Sequence, residues 1–493
     1  MKEGNPVSQR RKPSPPRRLF KAKASRAEPP PNRLAEIQAE ISEVQTQIET
    51  LRHATRRVRN ATELTALEQQ VTQLTDRLAR LLVAETLQQT VDDPQTNQQA
   101  RSLIQGAGTT IKNQGKRPVT VRTMRGPVVI RVSYYSRNCD RGKTHKGLYP
   151  ALRLLSIEDG CTVGWASEVS KLVAILGSLE EVEGLLVERG QSLSINTIRA
   201  IAYRFAARAR AVQRAGRLDW GESVAGRRVV ISTDGGRLRL RTTKRGPKTA
   251  KGRNRYRTDW REPKLLMIYV IDEQGKMDRE FLAVLDGTLG GPQAIFALMA
   301  SYLRELRISE ADRILFVADG ARWIWNRVGP LLQRLGLRPE QINELVDFYH
   351  AVEHLGVIAG RKSGWTAAER TTWVKRQRRR LLKGQTEEVL QEITVVCGRR
   401  CGPVLKRERA YFQRNIRAGR MNYHRLASEK WPIGSGAIES AIRRVINLRL
   451  KGAGIFWHRT SAEAVLLLRA YYKAGRWKKL ENQVVTSILE DAA

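Results

Sequence analysis

The sequence predicts a mixed-sheet α/β core carrying an all-helical insertion, preceded by an N-terminal coiled coil and a helix-turn-helix. Three features of the pattern lead there. Short runs of β-branched and apolar residues, 229–231 and 314–317, have the composition of strands covered on both faces, and an Asp-Gly pair follows each closely. Between 34 and 81 the apolar residues recur at a 3-4 spacing, the seam of a coiled coil. Between 360 and 430 the strand signals vanish and Arg-rich helical segments replace them, before a last core helix opens after Trp431-Pro432.

At 493 residues the chain is long enough for roughly three ordinary domains and a large core. Its 88 Lys and Arg against 49 acids give a net charge of +39, and so basic a surface repels itself unless a polyanion binds it. Nucleic acid is the default partner. A membrane surface is the competing polyanion, but no apolar run reaches the roughly 18 residues of a span, and the first 30 residues are polar and Pro-rich with no signal-peptide core. A cytoplasmic location with no membrane partner is expected. The four cysteines, Cys139, Cys161, Cys397 and Cys401, are too few and too scattered for a disulfide framework, so reduced thiols are expected.

Residues 1–32 combine RRKPSPPRRLFKAK with a Pro triplet and almost no apolar content, which predicts a disordered basic arm. In the coiled coil, 33–92, seam positions Leu34, Ile37, Ile41, Val44, Ile48, Leu51 and Val58 are followed by Leu64, Leu67, Val71, Leu74, Leu78 and Leu81. The step from Val58 to Leu64 breaks the heptad and leaves two arrangements open, a helical hairpin or one long dimerising helix with a stutter. Period-two alternation around 118–135 predicts a hairpin inside a small β region, 93–160. In 161–218, Ser178 caps a helix stopped by Gly190, and the QSLS turn leads into a second helix over 195–210. That helix carries Ile195, Ile198, Ile201 and Phe205 on one face and arginines on the other. An ordinary helical hairpin explains the pair equally well locally; the net charge favours a DNA-reading helix-turn-helix, with Arg199 and Arg204 as DNA contacts.

The core begins at 219 and runs to 359. Asp234 ends its first strand, at the C-terminal lip where open α/β sheets place ligands, and Asp319 repeats the strand-Asp-Gly ending. Between 237 and 264 lie twelve Lys or Arg and two acids, with Tyr256 and Trp260 among the charges, the make-up of a phosphate-tracking loop with base-stacking aromatics. Its candidate DNA contacts are Arg241, Lys244, Arg245, Lys248, Arg253, Arg255 and Arg257, joined by Lys451 from late in the chain. Apolar runs at 264–272 and 280–287, a helix begun by Pro292, and a strand turning into a helix near 349 complete this part. After the helical insertion, 360–430, the segment 431–480 returns to the core with Ile438, Ile442, Val445 and Ile446 as an apolar stripe and Glu439 beside it; 481–493 is a tail.

Asp234, Asp319 and Glu439 thus stand on strand, strand and helix, which suits metal-dependent phosphodiester chemistry. Converging carboxylates repel unless cations neutralise them, and two Mg²⁺ ions about 3.5–4 Å apart activate the attacking hydroxyl and stabilise the leaving oxygen. Each acid also has a plainer use, Asp234 as a turn cap and Glu439 as a partner of the helix dipole.

The motifs STDGG (Asp234), VADGARWIW (Asp319), DFYHAVEHL (347–355) and GSGAIESAIRRVINLRLKGAGIFW (Glu439) together resemble a bacterial insertion-sequence transposase of the DDE type, closest to the ISKra group. They span roughly half the chain, from 226 to 477. The resemblance implies a ribonuclease H-like catalytic fold whose catalytic and metal-holding acids are Asp234, Asp319 and Glu439, with two Mg²⁺ per site and Mn²⁺ as substitute. It implies binding to the element's terminal inverted repeats, strand cleavage, and transfer of the freed 3′-hydroxyl to target double-stranded DNA. A homodimer or higher synaptic oligomer, associated with the nucleoid of a prokaryotic cell, would perform it. The Asp347–His350 run resembles an acid-x-x-His motif of related transposases, which adds His350 to the candidate catalytic residues. A zinc reading of His350 with His354 lacks a third ligand and the HExxH order. Relatives carry a paired-cysteine knuckle after the hairpin, where this chain has Ser136 in place of one cysteine before Cys139, so no zinc is expected there. The rival reading is a domesticated, non-catalytic DNA-binding regulator of the same fold; the intact acid triad favours the enzyme.

Overall fold

The heptad break after Val58 becomes a reversal of the chain, and the coiled-coil segments fold as a helical hairpin, Arg33–Ala54 against Ala61–Asp92. Gln38 Nε2 donates to Glu85 Oε1 at 3.0 Å and Arg77 pairs with Glu43 at 3.2 Å, which fixes the pairing as antiparallel. Asn60 opens the second helix by accepting from Glu63 N, while the Glu63 carboxylate accepts from Arg59 N, each at 2.9 Å. Ile37, Ile41 and Val44 are buried, yet the seam residues Leu64 and Val71 stay 47% and 43% exposed.

The computed structural model describes residues 32–54, 58–105, 111–137, 147–158, 160–250 and 252–491. Cys139, Lys251 and all but the last residue of the expected basic arm lie outside them. The chain divides into two compact units, 1–89 and 90–493.

The second unit opens with the helix Pro94–Gln105 and continues into an antiparallel hairpin, β1 (Ile111–Thr123) and β2 (Gly126–Arg137), joined at Met124-Arg125. Its centre is a mixed five-stranded sheet: β3 (Arg228–Gly235), β6 (Lys264–Ile271), β7 (Val284–Thr288), β8 (Arg313–Ala318) and β9 (Ile342–Val346), in the order β7-β6-β3-β8-β9. β3 pairs antiparallel with β6 and parallel with β8; β6 and β7 are antiparallel, β8 and β9 parallel. The continuous apolar runs read from the sequence are the inner strands, β6 being buried along its whole length. The stretch between β3 and β6 is a hairpin rather than a loop: β4 (Leu238–Thr243) pairs with β5 (Tyr256–Arg261), leaving 244–255 as its tip.

The expected recognition helix, Ile195–Arg214, is a wall of this unit. Ile198, Ile201, Phe205 and Ala209 are buried, and Phe205 stacks on Trp477 at 6.1 Å between ring centroids. Arg210 forms a bidentate pair with Asp286 of β7, at 2.6 and 3.0 Å, both side chains buried. Gln213, Tyr302 and Tyr471 close a network around that pair.

Between Phe348–Arg361 and the return to the sheet the chain is helical, with Ala367–Leu382, Thr386–Cys397, Pro403–Arg417 and Tyr423–Ser428. Cys161, Cys397 and Cys401 are free thiols. The return is the short helix Gly436–Ile442, which runs into a π-helical turn, Arg443–Asn447, and packs on β3 and β6. Gly236 lets it come close, because a Cβ there would stand 2.7 Å from Ile446 Cδ1.

Candidate active site

Strand register builds the site. In the parallel pair β3 and β8, Ser232 faces Val317, so Asp234 and Asp319, each two residues further on, leave the sheet level with each other. In β8 and β9, Ala318 faces Val346, so Asp347 takes the same place beside Asp319. Asp347 N donates to Ala318 O at 2.8 Å, continuing that ladder. Three adjacent strands therefore end in an aspartate at one lip of the sheet.

Each carboxylate is held differently. Asp234 Oδ1 accepts from Gly235 N at 2.6 Å. Burial pushes its pKa up to about 6; the Asp319 charge adds to the rise, while Gly235 N, His350 and Lys264 oppose it. Asp319 Oδ1 accepts from Ala321 N at 3.0 Å, and its carbonyl accepts from Trp325 Nε1 at 2.7 Å. Asp347 caps Phe348–Arg361, Oδ1 accepting from His350 N at 2.9 Å, while Oδ2 accepts from both the backbone and the hydroxyl of Ser435. Burial by itself would raise the Asp347 carboxyl, but the hydrogen bonds from His350 and Ser435 outweigh it and hold the group well below the usual carboxylate range. Glu439, exposed, is joined to this cluster by Ser435 Oγ, 3.3 Å from its Oε1.

His350 is the link between the acids. Its Nδ1 lies 3.5 Å from Asp347 Oδ1. That contact, against the cost of burial and helped by the charges of Asp347, Glu353 and Asp319, raises its pKa to about 9. Ligand atoms of Asp347, His350 and Glu439 lie within 4.8 Å of one another. His350 is also in electrostatic reach of Asp234 and Asp319, so it connects the strand-end aspartates with Glu439.

A divalent cation suits this donor set. Asp347, His350 and Glu439 offer two carboxylate oxygens and an imidazole nitrogen close enough to hold one metal ion. Asp234 and Asp319 add carboxylate oxygens on the neighbouring strands, hard donors of the kind Mg²⁺ and Mn²⁺ take. His354 points to other work: it pairs with Glu408 and stacks on Tyr411 at 3.9 Å between centroids, so the His350–His354 spacing does not make a metal pair.

Four residues here were not in the expected site. Asp347, Ser435, Lys264 and Tyr411 all act on the acids. Lys264 was counted among the loop charges but is buried on β6, opposite Gly235, 4.1 Å over the Trp323 ring and in electrostatic reach of Asp234. Tyr411, from the helical insertion, lies against Gly320, where a Cβ would stand 2.0 Å from its ring. Its buried hydroxyl has no hydrogen-bond partner among the described residues, and burial together with Asp319 and Asp347 keeps it protonated. A sequence signal existed for Asp347: NELVD closes a strand with an acid just as VVISTD and ILFVAD do.

The expected DNA contacts lie on the surface. Arg241, Lys244, Arg245, Lys248, Arg253, Arg255 and Arg257 are all exposed on the β4–β5 hairpin, with Tyr256 48% and Trp260 56% exposed among them. Arg239 and Arg241 stack over those two rings. Lys451 is exposed beside a cleft that Trp260 and Arg239 also line. Arg199, half-buried and bonded to Asn196 Oδ1 at 2.9 Å, and Arg241 both act on His458, so the helix and the hairpin approach one surface. Arg204 is exposed on the same helix.

No helix is long and apolar enough to cross a membrane among the described residues. No family model matches the chain, and no curated protein matches it.

Proposed function

We propose that the chain is a DDE-type transposase that cleaves and transfers DNA strands with Asp234, Asp319 and Glu439 as its metal-holding acids. One observation carries the reading: adjacent parallel strands end in level aspartates, and a helix from beyond a helical insertion adds the glutamate. The strand order β7-β6-β3-β8-β9, with only β6 running against the other four, is the arrangement a ribonuclease H-like core calls for. The exposed basic hairpin and the net charge of +39 supply what a DNA substrate requires.

Two divalent ions, when bound, would activate the attacking hydroxyl and stabilise the leaving oxygen of an in-line phosphoryl transfer. The chain's own part is to prepare for that. Asp234 and Asp319, half-buried side by side, lower their repulsion when they accept positive charge. Ser435 ties Glu439 to Asp347 and so sets its position on a short helix. His350, charged near neutrality, offers Nε2–H to a phosphate oxygen, with Asp347 fixing its ring. The arginines of β4 and the hairpin tip hold the DNA backbone, and Trp260 and Tyr256 offer faces to unstacked bases.

Incubating the protein with labelled element-end DNA and Mg²⁺ tests this. Asp234→Asn and Glu439→Gln should each abolish nicking while leaving end binding within about twofold; nicking retained in both would end the assignment, and no nicking by the wild type would leave the regulator reading in its place.

A further inference from the structure

On the β7 side of the sheet, the helices Ile195–Arg214, Gly291–Glu305 and Arg322–Arg334 enclose a cleft of about 620 Å³. Five arginines line it and no acid does: Arg210, Arg214, Arg304, Arg327 and Arg334. An adjoining cleft of about 630 Å³ shares Arg210 and Arg214 and adds Arg204, Arg459 and a single acid, Glu463. Together they form one elongated trough.

Part of its charge is compensated. Asp286 takes up the charge of Arg210, and the Glu463 carboxylate is occupied by Thr288 Oγ1 at 3.0 Å and Leu289 N at 2.6 Å. Arg214, Arg304, Arg327 and Arg334 have no carboxylate partner among the described residues. Arg327 donates to Trp323 O at 2.9 Å and Arg334 to Pro330 O at 3.1 Å, contacts that orient the guanidinium groups without neutralising them. Four like charges around one hollow repel unless an anion enters.

The trough differs from the β4–β5 hairpin in what it offers a nucleic acid. The hairpin interleaves arginines with exposed rings. In the first cleft the one ring, Phe296, is 5% exposed and edge-on to Trp323; in the second, Tyr203 packs against the core. Among the described residues lining the trough no ring is exposed as Tyr256 and Trp260 are. Arginine forks without stacking surfaces read phosphates and leave bases paired.

We infer that this trough is a second DNA-binding surface, one that grips the sugar-phosphate backbone of intact duplex independently of sequence. The inference rests on the reading that the chain acts on DNA, and it adds a duplex segment held away from the acid site. Arg304 and Arg334 are exposed and make no ion pair among the described residues, so replacing both spares the fold.

The test is the salt dependence of binding to a duplex of about 40 base pairs of unrelated sequence, between about 50 and 200 mM NaCl. Loss of two phosphate contacts in Arg304→Ala/Arg334→Ala should lower the slope of log affinity against log salt by about 1.8. The Arg304→Gln/Arg334→Gln pair should do the same, while Lys276→Ala/Arg279→Ala, two exposed charges removed from the turn after β6, should leave the slope unchanged. An unchanged slope in both trough variants overturns the inference, as does an equal fall in the control pair. So does weaker binding of inorganic tripolyphosphate with unaltered duplex binding, which would mark a small-anion site. Nicking of a short element-end duplex, run in parallel, keeps the outcomes apart: absent nicking in the wild type counts against the transposase, whereas normal nicking with an unmoved slope counts against the trough alone.

Discussion

Asp347 shows how much one buried carboxylate can organise. It accepts from His350 N and from both donors of Ser435, faces the His350 ring, and sits beside Asp319 in the ladder. Asp347→Ala would leave those donors buried without an acceptor, and a loss of roughly 3 kcal/mol in denaturant unfolding is expected. The pair also sets a pH window. His350 has a folded pKa of about 9, above its unfolded value, so its contribution is fully present below about 6.5 and lost as pH rises through about 9. Asp347 is shifted down, so its contribution is present above its unfolded value near 3.9 and lost as pH falls further. Stability should hold between those limits and fall on the alkaline side; in His350→Gln, thermal melts across pH should lose that alkaline limb. Asp234 shifts the other way. With its carboxyl raised to about 6, protons compete with cations in that range, and Mg²⁺-dependent nicking should fall about tenfold per pH unit below about 6. A flat profile from pH 5 to 7 would contradict that assignment.

At the scale of elements, the helix Ile195–Arg214 has two faces with separate duties. Its inner face is part of the core, since Arg210 neutralises Asp286 inside the sheet's edge. Deleting the chain up to 220 would remove that partner and unfold the remainder, so it cannot test DNA recognition. Point substitutions can: Arg210→Ala should cost roughly 3–5 kcal/mol of stability, whereas Arg199→Ala should keep the melting temperature and weaken element-end binding in a mobility-shift titration. The helical insertion is coupled to the site through Gly320. In Gly320→Ala the new methyl meets the Tyr411 ring, and the shift of Pro403–Arg417 should destabilise by about 1–3 kcal/mol, read by thermal melting, and slow nicking. In the N-terminal hairpin Leu64 and Val71 leave part of the seam open. If protomers pair there, Leu64→Glu/Val71→Glu should shift sedimentation toward the monomer without melting the second unit.

For the whole molecule, the net charge, the run of strands and helices, and the three catalytic candidates were legible because each is written locally. A strand closed by Asp-Gly is a feature of a few neighbouring residues, and it occurs at Asp234 and at Asp319. The coiled-coil seam, the helical insertion and the glutamate-bearing helix follow from periodicity in the same way. What periodicity did not specify was register and partner. Whether the first two helices reverse or extend depends on contacts such as Gln38 with Glu85, 47 residues apart. The expected independent recognition helix is a core wall because its Phe205 and Gln213 meet residues more than 250 positions later, Trp477 and Tyr471.

The sequence by itself determined which residues bear charge, which segments are apolar on one face, and where strands stop, since these depend on side-chain chemistry and near-neighbour spacing. Only the tertiary structure decided that Asp347 stands level with Asp319, that Lys264 leaves the basic stretch to sit under Asp234, and that four arginines from three helices line one trough. Those are consequences of strand register and helix packing, which bring together residues that have no relation along the chain.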